Sequence, residues 1–294
     1  MIFSNYRVWI LASRPKTLWA ALAPVIIGTA MAFDHGKAHW LSAVLAALAA
    51  VMIQIGTNFA NDYFDHLHGA DHAERLGPLR ATQAGLVKPG AMRAAFITAF
   101  SLAFLAGVYL IWRGGWPILI IGLLSILFGI LYTGGPYPLG YHGLGDIFVL
   151  IFFGLVAVGG TYYVQTLEIN RNVLLAGLAP GFFSTAILTV NNLRDIYTDK
   201  AAGKRTLAVR FGETFARLEY LLSIFIACLV PVILYFLTLR HLYALASALV
   251  FFAALPSIKI TFTEQPGIIF NKVLADTGKL LLIYSVLFSV GWLI

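Results

Sequence analysis

Long apolar runs constrain this chain more than anything else in it. They fall at about 17–33, 39–61, 92–112, 116–133, 144–164, 172–193, 215–238, 241–260 and 270–293. About 20 apolar residues is the length of an α-helix that crosses a bilayer. Inside hydrocarbon the backbone must satisfy its own hydrogen bonds, which such runs do by becoming helical. The spacing predicts an all-α polytopic membrane protein, a bundle of about nine transmembrane helices. Prolines 24, 180 and 231 lie within spans, where membrane helices tolerate them. Charged residues make up 11% of the sequence, against about 25% in soluble domains. The segment 1–10 contains Arg7 and no small-residue cleavage site, so a cleaved leader is not expected. Cys228 is the single cysteine, which excludes an intramolecular disulfide.

The loops set the expected orientation. With the N-terminus inside, fifteen of the twenty Lys and Arg residues fall on the cytoplasmic side and four on the other, with Lys279 inside the last run. That asymmetry is the positive-inside pattern. It accounts for the +7 net charge without a nucleic-acid partner. The partner it implies is the lipid bilayer. Two polar insertions, 62–91 and 194–214, are both expected in the cytoplasm, separated by four spans. The chain reads as one domain, 1–294, with an internal pseudo-repeat of roughly 1–140 and 141–265 plus a ninth helix.

Each insertion follows a span that ends in asparagine and aspartate. The first reads Asn58-x3-Asp62-x2-Asp65-x5-Asp71, then Arg75, Arg80 and Thr82. The second reads Asn191-Asn192-Leu193-Arg194-Asp195-x3-Asp199, then Lys204, Arg205 and Thr206. Residues three or four apart share a helix face, so Asn58, Asp62 and Asp65 point together, as do Asp195 and Asp199. Like charges this close repel unless a cation lies between them. Oxygen ligands of this kind suit Mg²⁺, commonly held by one or two carboxylates plus substrate phosphates. Carboxylates alone would repel a diphosphate; carboxylates followed by arginine and lysine can hold one through the metal. Such a clamp stabilises charge on a leaving diphosphate. At the mouth of an apolar bundle, it fits a substrate with a diphosphate head and a hydrocarbon tail, the shape of a polyprenyl diphosphate.

Five stretches carry a family resemblance: Arg14-Pro-Lys-Thr17 with Ala23-Pro24; Asn61-Asp-Tyr-Phe-Asp65 with Gly69-Ala-Asp71; Arg75-Leu-Gly-Pro-Leu-Arg-Ala-Thr82; Tyr132-Thr-Gly-Gly-Pro-Tyr-Pro138; and Asn191 through Thr206. On these the chain resembles the UbiA superfamily of intramembrane aromatic prenyltransferases over nearly its whole length. Within it the chain is most similar to the MenA branch, the 1,4-dihydroxy-2-naphthoate polyprenyltransferases. The resemblance implies a bundle in the bacterial cytoplasmic (inner) membrane that uses Mg²⁺ to ionise polyprenyl diphosphate. The allylic cation then alkylates 1,4-dihydroxy-2-naphthoate with loss of CO₂, giving demethylmenaquinone. It also implies Asp62, Asp65, Asp195 and Asp199 as catalytic metal-site acids, with Asp71, Asn58 and Asn191 as further ligands. Arg75, Arg80, Lys204 and Arg205 become diphosphate contacts, with Asn61, Asn192 and Arg194 beside them. Two departures stand out. The third acid of the first motif falls at Asp71, with Gly69 in its usual place. Tyr137 and Pro138 occupy a region where hydroxybenzoate-type members carry lysine.

Arg14 and Lys16 precede the first span and could reach an acceptor carboxylate or the diphosphate, or simply anchor the helix. Tyr132 and Tyr137 could stack on an aromatic acceptor or shield a cation, or form part of the interfacial belt. Asp146 could orient an acceptor hydroxyl, or favour a helix N-terminus. His66, His68 and His72 do not match a tetrahedral zinc site. Two rival functions stay open at this level. One is transfer to another acceptor, 4-hydroxybenzoate or a tetrapyrrole. The other is an ion-coupled transporter, which places its acids near mid-membrane.

Overall fold

The computed structural model describes residues 5–68, 76–77 and 80–294. Asp71, His72 and Arg75 lie outside them. The described residues are overwhelmingly helical and contain no strand. The helices are α1 (Asn5–Ser13), α2 (Trp19–Asp34), α3 (Trp40–Leu67), α4 (Pro89–Gly114) and α5 (Trp116–Leu131), followed by α6 (Gly145–Thr166), α7 (Arg171–Arg194) and α8 (Ile196–Ala201). The last three are α9 (Leu207–Thr238), α10 (Leu242–Thr263) and α11 (Phe270–Leu293). Every apolar run is helical, with ends within a few residues of the expected ones except at two places. Helix α3 continues through Leu67, past the expected end at 61, and carries Asp62 and Asp65 at the helical spacing read from the sequence. Helix α9 starts eight residues early, and its non-helical Gly212 (φ 85°) separates a short first segment from the apolar part.

Among the described residues, seven helices are long and apolar enough to cross a membrane, and eight when the bent pair of α1 and α2 is taken as one span. The expected nine is not reached on that measure. Helix α5 has 16 residues, about 24 Å at 1.5 Å per residue, short of a hydrocarbon core of about 30 Å. The bend between α1 and α2 is 51°. It has a local cause: Arg14 precedes Pro15, whose ring disfavours the right-handed helical region for the residue before it. Arg14 adopts a left-handed conformation instead (φ 51°, ψ 68°), and Pro15 opens a single 3-10 turn.

Polar ties identify the two ends of the bundle. At one end Lys37 meets Glu168, Arg113 donates to the Val164 and Gln165 carbonyls, and His241 bonds the Trp292 carbonyl. At the other, Thr133 donates to Asn61, Tyr141 to Asp65, and Arg194 to Asn271. Both Asp-rich helix ends therefore lie together. Helix α7 is central, with two thirds of its apolar window buried. It packs closely on α6 because glycines remove the side chains between them. A Cβ on Gly181 would come within 2.7 Å of the Leu150 carbonyl, and one on Gly154 within 2.6 Å of the Gly177 carbonyl. Gly177-x3-Gly181 is the small-residue spacing that lets membrane helices approach. The facing part of α6, Ile151–Val156, is a π segment, a wider turn often found at functional sites.

Candidate active site

A polar chamber opens at the end of the bundle where the two Asp-rich helix ends meet, with a volume of about 200 Å³. From α3 it is lined by Gln54, Asn58, Asn61 and Asp65, a strip at spacings of three and four residues. From α7 and α8 it is lined by Ser184, Asn191, Asn192, Asp195 and Asp199. Arg14, Arg80 and Lys204 bring positive charge to the same walls. The matching units are thus Asn61-x3-Asp65 and Asn191-x3-Asp195-x3-Asp199.

Each lining acid has a basic partner. Asp65 pairs with Arg80, and its second oxygen accepts from the Tyr141 hydroxyl at 2.6 Å. Arg194 grips both oxygens of Asp195, and also donates to Asn191 and Asn271. Lys204 stands 3.5 Å from Asp199 and 4.7 Å from the centre of the Tyr141 ring. Asp65 and Arg194 are each 1% exposed. Buried ions of this kind persist only when paired and hydrogen-bonded.

Asp62 departs from the sequence expectation. It is buried, but it does not line the chamber. Its two oxygens accept the backbone N–H groups of Ala81 (2.8 Å) and Thr82 (3.0 Å). One residue on from Asn61, it is turned by about 100° around the helix, which aims it at the following loop. What it does there is hold the segment that carries Arg80. Asn58 lines the chamber, yet its amide nitrogen is taken by the Ser13 carbonyl and the Thr17 hydroxyl. Asn61 accepts from Thr133.

Other candidates fall outside. Lys16 and Arg205 are exposed and do not line the chamber. Tyr137 is 57% exposed and stacks on His142, 3.5 Å between ring centres, so it has no chamber face. Asp146 is buried beside the chamber rather than on its wall, at the start of α6. His68 touches the edge of Tyr141, and Lys279 is exposed and paired with Asp276. Tyr141 and Asn271 were missed by sequence reasoning. Asn271 donates to the Leu76 carbonyl while accepting from Arg194, tying α11 to the first loop and to α7. Neither carries a motif; Tyr141 at least lies in the Gly/Pro-rich connection beside Tyr132.

A second cavity, about 230 Å³ and almost wholly apolar, lies deeper between α2, α3, α4, α5 and α6. The two spaces share Ala20, Gln54, Tyr132, Val149 and Phe153. Tyr132 therefore stands where charge gives way to hydrocarbon.

The donor set fits a hard cation such as Mg²⁺: asparagine and aspartate oxygens and no soft ligand. Among the described residues no three His, Cys, Asp or Glu side chains form a ready-made cage. These oxygens come from two facing helix ends, α3 and α7–α8.

Residues 21–267 match the UbiA prenyltransferase family. The chain is 37% identical to the 1,4-dihydroxy-2-naphthoate octaprenyltransferase of Haemophilus influenzae, covering 100% of this chain and 98% of that protein. It is 38% identical to the protein of that name from Escherichia coli, over 98% and 96%. A solved UbiA homologue from Archaeoglobus fulgidus, bound to GPP and Mg²⁺, superposes with a TM-score of 0.69 at 15% identity, over 98% of this chain and 100% of that one. An apo UbiA homologue from Aeropyrum pernix gives 0.70 at 17%, over 95% and 97%. These two show the shared fold.

Proposed function

Because the chain belongs to the UbiA prenyltransferase family, we infer that it transfers the polyprenyl group of a polyprenyl diphosphate to 1,4-dihydroxy-2-naphthoate. Carbon dioxide is lost and demethylmenaquinone is formed, in menaquinone biosynthesis. Relatives of that activity align over nearly the full chain. The observation that carries the reading within the molecule is the pair of cavities, one charged and one apolar, that meet at Tyr132. A diphosphate head with a hydrocarbon tail matches that pairing, and a coupling ion for transport does not.

Mg²⁺ would be held by Asn61, Asp65, Asn191, Asp195 and Asp199, and would supply neutralisation of the diphosphate charge. The chain's own groups do the rest. Arg80, Lys204 and Arg14 give the phosphate oxygens cationic partners. On substrate entry, diphosphate competes with Asp65 for Arg80 and with Asp199 for Lys204. These contacts strengthen as the C–O bond breaks, which lowers the barrier to ionisation. The apolar cavity orders the tail and keeps water from the allylic cation. The neutral Tyr132 ring shields that cation by its π-face. Asp62 positions the Arg80 segment rather than touching substrate.

The protein is a multi-pass membrane protein. We assign it to the bacterial inner membrane with its N-terminus and both Asp-rich loops in the cytoplasm, which the positive-inside asymmetry supports. The halves 1–140 and 141–265 are related as a repeat, supported by the like placement of Asn61-x3-Asp65 and Asn191-x3-Asp195 at the ends of α3 and α7. The test is an acceptor panel with one prenyl diphosphate, following prenylated product and released CO₂. Transfer to 4-hydroxybenzoate but not to dihydroxynaphthoate overturns the acceptor assignment.

A further inference from the structure

The acids of the polar chamber and the cations Arg80 and Lys204 stand at its rim, whereas the deeper lining from α3 and α7 is uncharged. Ser184 lies 11 residues back along α7 from Asp195, a depth of about 16 Å at the helical rise. Gln54 lies 11 residues back along α3 from Asp65. Around them the wall is Val149, Phe153, Ile187 and Leu188. This floor has the character of an aromatic ring: apolar faces with a few neutral polar points.

Ser184 has a hydroxyl with nothing to bond. It is 4% exposed, lines the chamber, and its Oγ has no hydrogen-bond partner. Its helix neighbours behave differently. Thr185 donates to the Gly181 carbonyl and Thr189 to the Thr185 carbonyl, the ordinary use of a buried helical hydroxyl. A buried hydroxyl left unmatched destabilises the fold. Such a group in a ligand chamber points to a ligand atom as its missing partner.

We propose that Ser184 binds a hydroxyl of the aromatic acceptor, on a floor subsite completed by Gln54 and Tyr132. The assignment rests on the prenyltransferase reading above and adds where the acceptor lies. Gln54 and Tyr132 belong to both cavities, so the first carbons of the tail pass beside them. A ring held on the Ser184 side therefore meets the allylic carbon from the wall opposite the tail cavity. The Tyr132 hydroxyl borders the same place: a Cβ on Gly145 would lie 3.0 Å from it and 3.2 Å from Leu188, and Leu188 is one turn from Ser184. Ser184, Gln54 and Tyr132 carry no charge, so they suit an uncharged hydroxyl edge of the ring, whereas an anionic substituent faces the basic groups of the chamber.

The test uses the full-length protein in detergent or proteoliposomes, with 1,4-dihydroxy-2-naphthoate and one prenyl diphosphate. Ser184→Ala is expected to raise the acceptor KM about 3–10-fold, the worth of one neutral hydrogen bond. The KM for prenyl diphosphate and the Mg²⁺ activation curve should not move. Ser184→Thr, which keeps the hydroxyl, is expected to restore the acceptor KM to within about twofold, the melting temperatures reporting that both variants fold. Acceptor KM unchanged in Ser184→Ala, or both KM values rising together, overturns the subsite while leaving the function in place. Absence of product from the wild type overturns the function, and this assignment with it.

Discussion

Arg194 holds Asp195 with both arms of its guanidinium: Nε donates to one carboxylate oxygen at 2.8 Å and Nη2 to the other at 2.5 Å. The pair is adjacent in sequence and sits at the junction of α7 and α8. Nη2 also donates to Asn191 and Nη1 to Asn271, so one side chain aligns the acid with the neighbouring asparagine and with α11.

Arg194→Ala is expected to cost about 3–5 kcal/mol, because it strands a buried carboxylate. Arg194→Lys keeps the charge but not the fork, and should recover part of the stability with little activity. Thermal melts and prenyl transfer on the same preparations check both. Full activity in Arg194→Ala would show that Asp195 needs no alignment.

Asp65→Asn removes the partner of Arg80 and an oxygen of the chamber wall. Turnover should fall about 10²–10³-fold, the loss typical of one stabiliser of transition-state charge. A shift of the Mg²⁺ activation curve to higher concentration should accompany it. Turnover within a few fold of wild type would remove Asp65 from the metal set.

Asp62→Asn replaces one acceptor oxygen with an NH₂ facing a backbone donor. The segment from Arg80 to Thr82 should loosen, seen as faster amide exchange at Ala81 and Thr82. The KM for prenyl diphosphate should rise through Arg80 while the Mg²⁺ dependence stays put. A shift in Mg²⁺ dependence as large as that of Asp65→Asn would instead make Asp62 a ligand.

Gly181→Ala places a methyl 2.7 Å from the Leu150 carbonyl and 3.1 Å from the Gly154 Cα. Backbone cannot yield as a side chain tip would, so a destabilisation of about 1–3 kcal/mol is expected. Melting in detergent measures it. Gly122, with open space around its Cβ position, is the matched control.

By itself the sequence determined the helices, the family and the chemistry. Apolar runs need no partner to declare a membrane helix, because the bilayer supplies the same solvent to each one. Asn-x3-Asp followed by basic residues declares a polyanion site, because charge cannot be hidden at a helix end. Tertiary structure decided which acids line the chamber. Asp62, Asp65 and Asn61 are neighbours in sequence, and helical spacing puts Asp62 close to both. The placement of the 80–82 segment gives Asp62 two amides to hold while Asp65 and Asn61 enter the chamber. Tyr141, Asn271 and Ser184 have no sequence signature, since their roles come from contacts far along the chain or from a contact left open. The same holds for Tyr132: its meaning lies in two cavities that meet at its ring, and a cavity is a property of packing between helices, which no single segment encodes.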